Sequence, residues 1–435
     1  MRIESSAGVV SKRIIPNAYN PDGLKYWRAA LPRAADGCGG VDILWIAHSY
    51  GTAATVTNPV HFCYPQILRR KLQARYNPAG VGGMGFINAR SVGISSTNWS
   101  NYSGGDCTGG SGKRYAGNSV SPRILTLTLN DATAGISPYN PDALPTTLPY
   151  CTDLEAVISA GVGTSIMGKW TFGWDIGAGY VDLQTNIDTT AFQGQSGLRA
   201  CRKLSTADGT SWHHDTLPTT GDMKYSITAV DAAKYNDVCG FVHYRNDWDC
   251  GVRLHNFSIA GSYAVGYKLQ ASPNVGNNGL HDFCSATRCI YPDGTRPTNK
   301  FCGLVGIGLG VNEYFRQDTT PDEFYANMAS VINAAHTYNP YASILLLADW
   351  QITTGTNPLP ETHVWREYVD KLYQLVDAYS DYVTLIDMYA WTGNATRAQA
   401  YLHHTNCALE GADSMHPSAL GQTAYAESIY RLLTD

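Results

Sequence analysis

Ser49, Asp413 and His416 have side chains that together could run a nucleophilic displacement. A serine hydroxyl is a weak nucleophile until a base takes its proton, and the base works best when a carboxylate orients its ring. Ser49 lies in "ILWIAHSYGTAA" (43–54), where a short apolar run enters a glycine-containing turn. Asp413 and His416 stand three apart in "ADSMHPSALG" (412–421), ahead of a terminal apolar-periodic run. Two more turns, "NFSIAGS" (256–262) and "GLGVNEY" (308–314), bring Gly261 and Asn312. A backbone N–H and a side-chain amide of this kind can hold a developing oxyanion. Each stretch alone also reads as ordinary turn chemistry: Ser49 as a turn residue, Asn312 and Asp413 as caps, His416–Pro417 as a helix entry. The set supplies every part that acyl transfer requires.

All four stretches follow or end candidate strands. "VDILWIA" reads as a buried strand, followed by an amphipathic helix in "HFCYPQILRRKLQARY" with Ile67, Leu68 and Leu72 on one face. The next stretch, "GVGGMGFIN", is marked only by its glycines. From residue 249 strands and helices alternate. "GVRLHNFSIAG", "FCGLVGIGLG", "SILLLAD" and "DYVTLID" are strands, and three helices follow Thr320, Glu361 and Pro417. Thr320 caps the first of these helices, with Pro321 at its first position and acids in its first turn. Apolar strands alternating with helices imply a parallel sheet covered on both faces, with chemistry at its carboxyl ends.

Between these parts, residues 92–248 hold short β-type runs separated by Gly/Asn/Asp/Ser turns and read as an all-β insertion, sandwich- or jelly-roll-like. The expected organisation is an N-terminal arm (1–37), a discontinuous α/β domain (38–91 and 249–435) and the inserted β-rich domain (92–248). Charged residues make up only 15% of the 435-residue chain, and Gly, Tyr and Trp are plentiful. This composition suits extracellular or virion surfaces. A net charge of −5 without a dense basic run argues against nucleic acid as the main partner. No apolar run approaches the roughly eighteen residues of a membrane span. The N-terminus has no apolar signal core. The eleven cysteines form no CxxC pairs and read as free thiols or a few disulfides such as Cys239–Cys250, with His281, Cys284 and Cys289 a weak zinc candidate.

In order and spacing the four stretches resemble the four sequence blocks of the SGNH hydrolases, the GDSL-type esterase superfamily. The resemblance covers about 45–90 and 249–435 and is closest in Asp413-Ser-Met-His416-Pro. It implies a three-layer flavodoxin-like α/β fold with Ser49 as nucleophile, His416 as base and Asp413 as its orienting acid. It also implies an oxyanion hole from Ser49, Gly261 and Asn312, with no metal or organic cofactor. Two positions depart from the pattern. Ala47-His48-Ser49 stands where Gly-Asp-Ser is usual, and Glu313 follows Asn312 where Asp is commoner. "AHSYG" also fits the nucleophile elbow of α/β-hydrolases. In those folds several strands precede the serine, and the acid and histidine lie on separate loops, so the SGNH pattern fits better.

The resemblance implies an esterase removing O-acetyl or other short acyl groups from carbohydrate or cell-wall polysaccharide. Tyr50, Tyr314 and His48 are candidate substrate-lining residues. Trp170, Trp174 and Tyr180 are candidates for sugar stacking or, alternatively, β-core residues. A second reading is a virion or surface glycan-binding protein, including a phage-virion-associated member of the superfamily, working as a homo-oligomer or virion assembly. A lipase or thioesterase is a third. The expected location is extracellular or virion-associated, with the cytoplasm left open.

Overall fold

The computed structural model describes residues 17–37, 39–53, 56, 62–78, 82–88, 250–271, 289–290, 302–351, 362–392 and 416–435. Between 88 and 250 it describes 94–97, 99–102, 112–116, 124–129, 153–159, 168–175, 180–188, 199–205, 223–231 and 234–245. In chain order the elements that build the site begin with α1 (Lys25–Ala35), β1 (Gly40–Ala47), the short turn of helix α2 (Ser49–Thr52), α3 (Tyr64–Tyr76) and β2 (Gly82–Asn88). There follow β3 (Tyr235–Arg245), β4 (Gly251–Asn256), α4 (Ala264–Ala271), β5 (Cys302–Gly308), α5 (Val311–Arg316) and α6 (Pro321–Tyr338). The last are β6 (Ser343–Ala348), α7 (Trp365–Ala378), β7 (Val383–Asp387), α8 (Met388–Trp391) and α9 (Ala419–Thr434).

β7, β6, β5, β1, β4 and β2 lie side by side in that order, all parallel. β1 sits in the middle because the chain places β4 on one side of it and then β5, β6 and β7 on the other. Such a reversal opens a crevice at the carboxyl ends of the central strands. Ser49 is the second residue past β1, at that point.

Alternation along β1 explains the layers. Val41, Ile43, Trp45 and Ala47 face one core, where α1, α3 and α9 contribute Trp27, Leu68, Tyr425 and Ile429. Leu44 and Ile46 face the other, where α6 and α7 contribute Phe324, Met328, Tyr368 and Leu372. Period-2 strands between period-3.6 helices give the flavodoxin-like sandwich expected from the sequence. Thr320 forms a full capping box with Glu323 at the start of α6: the Glu323 N–H donates to Thr320 Oγ1 and the Thr320 N–H to Glu323 Oε2.

Residues 17–37, read from the sequence as part of an arm, are built into the core. Ala18–Tyr19 pairs antiparallel with β7. Trp27 is wholly buried, and its indole N–H donates to the Leu433 carbonyl at 2.9 Å. Strands from 92–248 divide between two sheets. β3 runs antiparallel to β2, and strands 153–159 and 199–205 extend the core sheet beyond it. A separate antiparallel sheet holds 180–188, 169–175, 223–229, 124–129 and 94–97 in that order. Trp170 is completely buried, which makes it core and takes it away from any sugar. The side chains of Trp174 and Tyr180 lie outside the described residues, as do His281 and Cys284. Among the described residues no helix is long and apolar enough to cross a membrane.

Candidate active site

β1 ends at Ala47, and His48 takes an extended conformation that turns the chain into α2. Ser49 is the first residue of that turn and keeps 9% of its surface exposed. The turn is tied on several sides. The His48 N–H donates to the Gly308 carbonyl at the end of β5 (3.3 Å), and the Gly51 N–H closes back on the His48 carbonyl (3.0 Å). From α9, Gln422 donates its side-chain amide to the Tyr50 carbonyl (3.1 Å).

The loop after β4 reaches the same place. The N–H groups of Phe257 and Ile259 donate to the carbonyls of Trp45 and Ala47, carrying the ladder to the last residue of β1. The chain then turns at Gly261, whose φ of +76° lies in the left-handed region that a side chain would strain. α5 holds this loop by two side chains. Asn312 Nδ2 donates to the Ser262 carbonyl at 2.8 Å, and Glu313 Oε1 accepts the Ala264 N–H at 2.6 Å, at the start of α4. An aspartate at 313 is shorter by one methylene than this reach employs. Among the described residues, no acceptor meets the backbone N–H of Ser49 or of Gly261. An Asn amide has two N–H bonds, so the one given to Ser262 leaves another.

His416 lies at the entry to α9. Its ring stands edge-on to Tyr50, with centroids 6.1 Å apart, which brings it to the Ser49 turn. Ser418 caps α9 by accepting the Gly421 N–H (3.2 Å), fixing the direction from which His416 arrives. Asp413 lies outside the described residues. The structure thus gathers Ser49, Gly261, Asn312 and His416 around the carboxyl end of β1.

The substrate-lining candidates fare differently. Tyr50 is 1% exposed, wedged among the rings of His48, Trp350 and Tyr425. His48 has no exposed surface, and its Nε2 meets Asp349 Oδ2 at 2.9 Å. Tyr314 is 7% exposed; its hydroxyl accepts from Gln351 (2.8 Å) and its ring leans on Trp365. Asp349, Gln422 and Gln351 were not singled out in the sequence, although "SILLLAD" ends on the acid that meets His48.

Burial raises the Glu313 carboxyl above the ordinary glutamate range; the hydrogen bond from the Ala264 N–H offsets part of that rise. Its Oε2 is buried and has no hydrogen-bond partner among the described residues.

No family model matches the sequence, and no curated protein matches it. Solved structures do. A peptidoglycan O-acetylesterase superposes with a TM-score of 0.56 at 16% identity, over 95% of this chain and 97% of its own. The chain has the SGNH-hydrolase fold. Two family 2 carbohydrate esterases align over 78% of the chain with lower scores. The enzyme from Clostridium thermocellum in complex with cellohexaose has a TM-score of 0.27 at 10% identity over 97% of its chain. The enzyme with a carbohydrate-binding domain from Corynascus (Myceliophthora fergusii) has 0.30 at 9% identity over 98% of its chain. In this arrangement β1 is the first parallel strand of the sheet and runs into the Ser49 turn; among the described residues only the two-residue antiparallel strand Ala18–Tyr19, a 3-10 turn (Pro21–Leu24) and α1 precede it. The α/β-hydrolase alternative, with several strands ahead of its elbow, does not describe this topology.

Proposed function

We propose that this chain is a serine esterase that removes O-acetyl or similarly short acyl groups from a carbohydrate, with cell-wall polysaccharide the favoured substrate. The observation that carries the reading is the convergence on Ser49 of the Gly261 loop, Asn312 and the His416 end of α9. The near full-length likeness in fold to a peptidoglycan O-acetylesterase supports the substrate class. That substrate implies an enzyme working outside the cytoplasm.

In this mechanism His416 takes the hydroxyl proton as Ser49 Oγ attacks the ester carbonyl. Asp413 holds the imidazole in one tautomer and stabilises the imidazolium. The oxyanion accepts from the N–H groups of Ser49 and Gly261 and from the Asn312 amide. His416 then returns the proton to the leaving sugar oxygen, and water repeats the sequence on the acyl-enzyme. The burial of Tyr50, next to the serine in the chain, supports a short acyl group.

The test is a panel of O-acetylated peptidoglycan, acetylated plant glycans and p-nitrophenyl esters of increasing chain length, run on wild type and Ser49→Ala. Acetate release confined to wild type and to short acyl chains is expected. Full activity in folded Ser49→Ala, or a preference for octanoyl or longer chains, overturns the proposal.

A further inference from the structure

We propose that His48 and Asp349 form a buried positioning pair that fixes the turn carrying the Ser49 nucleophile. The inference rests on the esterase reading and adds to it a role for two residues that never touch substrate.

His48 makes two bonds in opposite directions. Its Nδ1 accepts the Tyr50 N–H at 3.4 Å, and its Nε2 meets Asp349 Oδ2 at 2.9 Å. One neutral tautomer satisfies both: the Nδ1 lone pair faces the amide, and the Nε2 proton points at the carboxylate. Ser49 is therefore bracketed. The residue before it anchors to a carboxylate, and that same imidazole grips the N–H of the residue after it. The side chains of His48 and Asp349 are 0% and 1% exposed. In such a site a hydrogen bond to a charged acceptor is short, directional and little weakened by solvent.

Asp349 is itself held rigidly. Its carbonyl accepts the Trp365 indole N–H at 3.0 Å, and the next residue, Trp350, donates its N–H to the Tyr425 hydroxyl at 3.2 Å. The pair does not join neighbouring strands. β5 lies between β1 and β6, so His48 and Asp349 meet across it, at Gly308. A Cβ on Gly308 would stand 3.7 Å from Asp349 Oδ2, 3.6 Å from Ala47 Cβ and 3.4 Å from the Tyr64 hydroxyl. A methyl group there would sit at ordinary contact distances from all three. The bridge thus ties the exits of three adjacent strands at the catalytic edge.

Packing alone does not account for the arrangement. The Asp349 carboxylate is buried beside the Tyr425 hydroxyl as well as His48, an expensive way to fill space that an apolar pair would occupy without penalty. Orientation of the serine turn is what the carboxylate provides.

The experiment compares wild type, Asp349→Ala and Asp349→Asn in kcat and KM for p-nitrophenyl acetate, in the rate of fluorophosphonate labelling of Ser49, and in hydrogen exchange of the Tyr50 amide. Asp349→Ala is expected to lower kcat and labelling roughly 10- to 100-fold, as small displacements of a reacting group do. KM stays near the wild-type value, and Tyr50 exchange accelerates while the amides of β1 do not. Asp349→Asn keeps an acceptor for Nε2–H and restores most of the rate. If Asp349→Ala does not fold, His48→Phe takes its place, filling the ring volume while making neither bond. Wild-type kcat together with unchanged Tyr50 exchange overturns the proposal. A wild type inert toward every ester overturns the esterase reading instead, and the exchange measurement still decides the role of the pair.

Discussion

Gln422 and Tyr50, 372 positions apart, are joined by a hydrogen bond from the Gln422 side-chain amide to the Tyr50 carbonyl at 3.1 Å. The same glutamine accepts the Tyr64 N–H at 2.7 Å through its Oε1 and is fully buried. One side chain of α9 therefore satisfies both the serine turn and the first residue of α3. Gln422→Leu leaves two buried backbone groups without partners, at a cost of roughly 1–3 kcal/mol each. Urea denaturation measures that loss. A Leu variant as stable as wild type would show that the two backbone groups find other partners.

Asn312→Asp preserves shape but removes the amide donor. If Asn312 serves the oxyanion, kcat for p-nitrophenyl acetate falls about 100- to 1,000-fold with KM little changed. Stability falls as well, because the Ser262 carbonyl loses its donor. A variant that loses stability but retains turnover would confine Asn312 to holding the loop.

Glu313 gives a pH prediction. Burial, the largest influence, lifts its carboxyl above the usual range, partly offset by the Ala264 N–H. The folded protein thus holds this proton to higher pH than the unfolded chain does. Its contribution favours folding fully below the unfolded value near about 4.3 and is lost as pH rises through the folded value. Glu313→Gln can keep an acceptor for Ala264 but never ionises. Its Tm should gain on wild type as pH climbs from roughly 4 to 8, and parallel Tm–pH curves would contradict the assignment.

Trp27 tests the place of the N-terminal segment. Trp27→Ala should cost about 3–5 kcal/mol in chemical denaturation, the range for a large buried side chain. A cost under about 1 kcal/mol, typical of a surface position, would return residues 17–37 to the status of an arm.

The sequence was most legible where local chemistry decides structure. The Thr320-Pro321-Glu323 cap, the uniformly apolar strands and the Ser49 turn could be read from neighbours in the chain. Less legible was whatever depends on a partner far along it. Asp349 looks like any acid ending a strand until β5 brings Gly308 between it and His48. β2 was hidden because its glycines weaken every strand signal, and its identity comes from β3 and β4 alongside. Glu313 looked like a departure from a pattern and is a side chain long enough to reach the start of α4. The α1 segment, read as part of an arm, owes its place to distant partners, with the Trp27 indole N–H donating to the Leu433 carbonyl.

The central position of β1 also bears on how the chain is made. Its partners β4 and β5 emerge only at residues 251–256 and 302–308, long after β1 itself. During synthesis the apolar run "ILWIA" of β1 waits without its two neighbouring strands while the β-rich stretch is translated. Contacts so distant in sequence make for slow folding and for a nascent chain prone to wrong pairing. On the esterase reading proposed above, the Ser49 turn takes its place only after β4 and β5 have been made, late in synthesis.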